Sequence, residues 1–174
     1  MSNVNPVKEK SLSWHGLYVL ADSALLPTRI ETEQGDFDVE PIRKFDYWSR
    51  TALIEALSAA FKTGNPESEV PPLENKKKCT PMEKLAGAKS WADLERKSIY
   101  FSITVYSSSV RLESWGRASD GSWSDEKETA LDTTIPVSAG VEGVADTILA
   151  HLKTRGDLPG LVADRSQPKT ANGA

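Results

Sequence analysis

The chain is predicted to be an α+β protein, an antiparallel β-sheet in meander order with helices packed on one face. Three observations predict it. From Ser98 onward the apolar side chains recur every second residue, as in half-buried strands joined by a tight turn. Two earlier segments, DYWSRTALIEALSAAFKTG and TPMEKLAGAKSWADLER, carry helix caps and helical spacing. The closing segment AGVEGVADTILAHLKTR holds an unbroken i, i+3, i+4 apolar stripe.

The elements follow in order. WHGLYVLAD, Trp14 to Asp22, is rich in strand formers and reads as a first strand. TRIETEQGDFDVEPI, Thr28 to Ile42, breaks at Gln-Gly-Asp and reads either as a short hairpin or as a strand followed by a loop. The first helix is capped by Asp46, buries Leu53, Leu57, Ala60 and Phe61 on one face, and stops at Gly64. Pro66, Pro71 and Pro72 deny the next stretch regular hydrogen bonding. Thr80, Pro81 and Glu83 form a capping box with proline at the first helical position. Gly87 or Ser90 then divides the segment into two short helices, the second capped by Ser90.

Two strands follow, joined at Ser107–Ser109, with Trp115 near the end of the second and an Asp120-Gly121 turn after it. ALDTTIPVS supplies a third strand, stopped at Pro136. Ser138 is the expected cap of the last helix. Glu142 and Asp146 lie toward that helix's positive end, and Lys153 and Arg155 at its negative end. Residues 1–11 and 156–174 read as loose polar ends around a single domain, residues 12–155.

The bulk composition, 174 residues with 39% hydrophobic and 26% charged, is that of one soluble globular domain. A net charge of -4 argues against general nucleic-acid binding and favours a basic protein partner. The single cysteine, Cys79, allows no intrachain disulfide. The first residues hold no apolar signal region, and no run has the length of a membrane span, so a cytoplasmic location is expected, with no membrane association.

No catalytic constellation emerges. Cys79 follows Lys76–Lys78 and precedes a helix start, which would favour a thiolate, but no motif ties His15 or His151 to it. The scattered histidines and cysteine lack zinc spacing, and no glycine-rich phosphate loop follows a strand, so no enzyme activity, metal or cofactor is expected. The three lysines lack the aromatic interleaving of a nucleic-acid site.

Two acidic stretches remain. ETEQGDFDVE contains Glu31, Glu33, Asp36, Asp38 and Glu40 with no basic residue, and DGSWSDEKETALD contains Asp120, Asp125, Glu126, Glu128 and Asp132 against Lys127 alone. Each could be a solvated face, or a surface that neutralises a basic partner, with charge steering the encounter and an aromatic anchor holding it. Trp123 is the candidate anchor if exposed, and a core residue if not.

The landmarks PIRKFDYWSRTALIEALSAAF, GNPESEVPPLE, KSWADLERKSIYFSI and SDGSWSDEKETALDTTIPVSAGVEGVADTILAHL run in a particular order. Over Pro27 to Leu152 that order resembles the bacterial contact-dependent growth inhibition immunity proteins, α+β inhibitors of toxin C-terminal domains. The resemblance implies a non-enzymatic protein that binds one cognate toxin domain in the producing cell. Many such toxins are nucleases with basic grooves, which gives the acids a use. The toxin-facing residues expected from the acidic stretches are Asp120, Trp123, Asp125, Glu126, Glu128, Glu31, Glu33, Asp36 and Asp38. A structural or adaptor module for an endogenous bacterial protein is the alternative.

Overall fold

The computed structural model describes residues 9–71, 80–124 and 130–156. Among them the chain forms β1 (Ser13–Val19), β2 (Ala24–Thr32), β3 (Gly35–Phe45), α1 (Arg50–Thr63), α2 (Pro81–Ala86), α3 (Trp91–Lys97), β4 (Ile99–Val105), β5 (Ser109–Ser114), β6 (Gly116–Arg117), β7 (Trp123–Ser124), β8 (Leu131–Pro136) and α4 (Gly140–Thr154). The ends expected to be loose fall largely outside the described residues. No helix among the described residues is long and apolar enough to cross a membrane.

Six strands make one antiparallel sheet in the order β3-β2-β1-β4-β5-β8. It is two three-stranded meanders placed side by side, with β1 and β4 forming the seam from Ser13↔Val105 to Val19↔Ile99. Alternation along the seam sends Leu17, Val19, Phe101 and Ile103 to one face and Tyr18 and Tyr100 to the other. Gly16 sits on that second face, where an added Cβ would stand 3.0 Å from the Tyr100 ring.

The first face carries the main core. Leu53, Ala56 and Leu57 of α1 and Val144, Ala145, Ile148 and Leu152 of α4 are buried against the sheet. Each fully buried aliphatic side chain stabilises by about 1.5–3 kcal/mol, so this layer dominates the fold's stability. Arg50 and Asp146 join the two helices at the surface at 2.6 Å. Both are half exposed, so their pairing contributes little.

The α+β class and the antiparallel sheet are present as expected, but not every helix lies on one face. α2 and α3 cover the opposite face, where Met82 and Leu94 pack with Tyr18, Leu25 and Tyr100. The reason is local: Tyr18 of β1 and Tyr100 of β4, with Leu20 and Leu25, make one end of the second face apolar enough to need its own cover.

Local chemistry explains most boundaries. Thr80 and Glu83 close the expected capping box on α2, Gly87 ends it with φ 65°, and Ser90 caps α3 by accepting from the Asp93 amide. Gly64 ends α1 at φ 66°. Two expected caps are corrected. Ser49, not Asp46, caps α1 by accepting from the Ala52 amide, while Asp46 accepts from Trp48 in the turn before it. Ser138 falls inside a 3-10 turn, Val137–Ala139, and α4 starts without a side-chain cap.

Of the two readings of Thr28 to Ile42, the hairpin is the one formed. β2 and β3 meet across Glu33-Gln34, with Gly35 taking φ 115°. β3 continues through Pro41 because the register shifts there, from Thr28↔Val39 to Pro27↔Ile42. An edge strand with a bulge can hold a residue that lacks an amide hydrogen.

Candidate interaction surface

β1 and β2 pair only at Tyr18↔Leu25 and Val19↔Ala24. Beyond that they part, and the connection after α1 enters the gap. The Asn65 Oδ1 accepts from the Trp14 amide at 2.7 Å, and its Nδ2 donates to the carbonyls of Trp14 at 2.9 Å and Arg29 at 3.2 Å. One residue later Pro66 accepts from the Glu31 amide, and Ser68 donates to the Glu31 carbonyl, each at 3.0 Å. Residues 65–68 thus act as a short parallel neighbour of β2, bridged at Glu31↔Glu67.

This insertion places Glu67 and Glu69 beside Glu31 and Glu33. The four glutamates, with Thr32, Ser68 and Val70, line an open cleft of about 650 Å³ with no basic residue among its described lining. Asp36 is exposed in β3 opposite Glu31. None of these five acids forms an ion pair among the described residues. Glu67 and Glu69 were missed in the sequence because they lie more than thirty residues beyond Glu31. The usable signal was the acidic N-P-E-S-E run after a helix-ending glycine.

Asp38 is not part of that surface. Its side chain is 10% exposed and bonds the Arg29 Nε at 2.9 Å. It also accepts from the Tyr18 hydroxyl. Arg29 in turn lies over Trp14, with its guanidinium carbon 3.6 Å from the ring centroid. Burial and then the Asp38 charge push the Tyr18 hydroxyl far above the usual phenol range, so it remains a donor. Burial also pushes Tyr100, up to about 12. The inward turn follows from the hairpin register: Arg29 and Asp38 are directly paired on the aromatic face.

The loop that was expected to dock a partner is occupied in holding α3. Arg117 donates to the carbonyls of Glu95, Ser98 and Gly121 at 2.8–2.9 Å, which ties the loop to the C-terminal end of α3 and satisfies one of its last acceptors, Glu95. The Trp123 Nε1 donates to Ser98 at 3.1 Å. Its ring stacks on Tyr100 with centroids 5.0 Å apart and meets Trp91 edge-on. Trp123 is therefore a half-buried packing residue and not an exposed anchor. Asp120 is exposed, and it closes the turn by accepting from the Ser122 amide and hydroxyl, bonds that hold its carboxyl below the usual range. Gly121 needs φ 87°, and a Cβ there would also meet Arg96. Asp132 is tied to Arg111 at 2.9 Å. Asp125, Glu126 and Glu128 lie outside the described residues, as do Cys79 and Lys76–Lys78.

The two histidines pack on the α1/α4 face. His15 is buried, within 2.9 Å of the Ser13 hydroxyl and 5.5 Å from the Phe61 ring, and burial draws its pKa down to about 4. His151 meets Phe101 edge-on at 5.7 Å.

At the other end of β2, Lys44, Lys84, Arg96 and Lys97 surround a second open cleft with Asp22 as the one carboxylate among its described lining residues. β2 spans nine residues, or roughly 30 Å at ~3.3 Å per residue, so the acidic and basic ends are well separated.

No family model matches the chain, and no curated protein does. Among solved structures, its fold is similar to that of a protein of unknown function from Neisseria meningitidis, NMB0488. The TM-score is 0.56 at 11% sequence identity, covering 87% of this chain and 99% of the other. Similarity at that identity speaks to fold alone.

Proposed function

We propose that the chain is an immunity protein that binds a cognate contact-dependent growth inhibition toxin domain, a nuclease with a basic substrate groove, and neutralises it in the cytoplasm of the producing bacterium. The observation that carries the reading is the cleft at the hairpin end, where Glu31, Glu33, Glu67 and Glu69 converge with no cation among the described lining residues. Such a surface presents to a basic groove the charge that a nucleic-acid backbone would present. Cations gather at the opposite end of β2. A basic partner is therefore attracted to one end and repelled from the other, which favours a single docking orientation. Asp36, opposite Glu31 across the hairpin, extends the acidic surface, whereas Asp120 stands at the basic end, where its neighbour Gly121 packs against Arg96.

Inhibition needs no chemistry from this chain. It requires only that the complex outlive the toxin's encounters with its substrate, so the relevant quantity is the dissociation rate.

The test is protection. Cells expressing this chain are challenged with the toxin domain encoded immediately upstream of it and, separately, with a non-cognate toxin. Growth rescue confined to the cognate toxin, with co-purification of the pair, is the expected result. Folded, expressed protein that gives no rescue would move the assignment to an adaptor for an endogenous bacterial protein.

A further inference from the structure

We propose that a cleft between α1 and the β2–β3 hairpin receives one apolar side chain of the toxin domain, flanked on the toxin by Lys or Arg residues that meet the neighbouring glutamates. This rests on the immunity reading and supplies an anchor in place of Trp123. Protein interfaces draw most of their energy from a few apolar side chains seated in pockets, while exposed charges govern mainly rate and orientation. Trp123 is committed to the Tyr100 stack, so the 120–124 loop projects no anchor. The chain offers a receptor instead.

The cleft holds about 350 Å³, with Leu26, Pro27, Pro41 and Ile42 on the sheet side and Ala56, Ala59 and Ala60 among its α1 residues. It exists because α1 leans toward α4 and the β1/β4 seam, where its leucines are buried. The side of α1 that faces the hairpin carries alanines, which are too short to close the space. The register shift at Pro41 bends the opposing strand. The volume lies near the lower limit of about 300 Å³ for pockets that enclose a ligand, a size suited to a single large side chain.

The occupant's charge follows from what adjoins the cleft. Thr28 and Gly64 line it, while Glu31 and Glu67, three residues further along each segment, line the acidic cleft. Three strand residues span roughly 10 Å, which one turn of helix or a short extended segment of the partner can bridge. Arg43, at the far end, is held to the Glu55 carbonyl at 3.2 Å. An apolar residue with cations nearby in sequence therefore finds both halves of its complement on one surface.

The test uses the full chain and the purified toxin domain, with association and dissociation rates measured at two salt concentrations. Ala59→Phe fills the cleft from an exposed helix position, and is expected to weaken binding about 30-fold or more through faster dissociation, as loss of a hot-spot contact does. The association rate and its salt dependence should stay within about twofold, since no charge changes. Ser58→Phe adds the same bulk at an exposed neighbouring position that does not line the cleft, and should bind like wild type. Thr63→Phe, at the cleft's rim, serves as a second filler if Ala59→Phe does not fold. Wild-type affinity in the folded filler variants overturns the cleft assignment while leaving the immunity reading intact. Absence of wild-type binding overturns both. A filler that changes the sedimentation of the free chain without changing toxin affinity gives the cleft to a second copy of this chain, and overturns the assignment as well.

Discussion

The Asn65 side chain occupies the place of a strand neighbour to Trp14, accepting from its amide at 2.7 Å and donating to its carbonyl at 2.9 Å. The same amide group reaches the Arg29 carbonyl, so one side chain ties β1 to β2 where their own ladder has opened. Asn65→Ala removes three bonds and leaves part-buried backbone groups unpaired. A loss of roughly 2–4 kcal/mol is expected, because each such group costs about 1–3 kcal/mol. Urea unfolding measures it. Asn65→Asp, which keeps only the acceptor, should fall between the two. A loss under about 0.5 kcal/mol would mean that water replaces Asn65 without difficulty.

Trp123→Ala should destabilise by about 2 kcal/mol, less than the ~3–5 kcal/mol of a fully buried aromatic, since Trp123 is half-buried. Affinity for the proposed toxin partner, per folded molecule, should not change. Trp123→Phe should recover most of the stability by keeping the stack on Tyr100 while losing the bond to Ser98. The opposite pattern, intact stability with weakened binding, would return Trp123 to the interface.

The sequence made the layers legible where periodicity was strong. The alternation in β4 and β5, the stripe on α4 and the Thr80/Glu83 box all reappear in place, because each depends on residues a few positions apart. What it did not reveal depends on pairings between distant segments. Asp38 looked like its exposed neighbours until the register set it opposite Arg29. Glu67 and Glu69 joined the acidic surface only through Asn65. Trp123 sits in a loop that looks solvent-facing by composition, yet Tyr100 on β4 supplies the partner that turns it inward. Local chemistry thus predicted the elements, and the candidate site emerged from their assembly.

His15 makes stability depend on pH. Its folded pKa lies near 4 against an ordinary value of 6.5, because burial and the Arg29 charge disfavour the cation. The unfolded chain therefore binds more protons between those two values, and stability falls as pH drops from about 6.5 toward 4. At about 1.4 kcal/mol per unit, the full effect is roughly 3 kcal/mol. Unfolding measured across this range in wild type and in His15→Phe isolates the contribution, because acid titration of the carboxylates is common to both. Parallel pH profiles would show that His15 is not the group responsible.

Glu31→Lys with Glu33→Lys should slow association with the proposed toxin partner by about tenfold at low salt, with the difference shrinking as ionic strength rises. Both side chains are exposed, so melting temperature should hardly move. Stopped-flow mixing at several salt concentrations checks this. An unchanged association rate would remove the hairpin end from the path of encounter.

The β1/β4 seam shapes how the molecule is made. Its first pair, Val19 with Ile99, joins residues on opposite sides of α1, α2 and α3. During synthesis at about 5–20 residues per second, β1 therefore emerges several seconds before the strand that completes it. The first meander and α1 must wait with one strand edge bare and apolar, a template for pairing with another chain. A ribosome stall after α1 would lengthen that exposure. Two nascent copies held close together could then exchange halves, each lending its β4 to the other's β1, and the same seam that closes the monomer would close a swapped dimer.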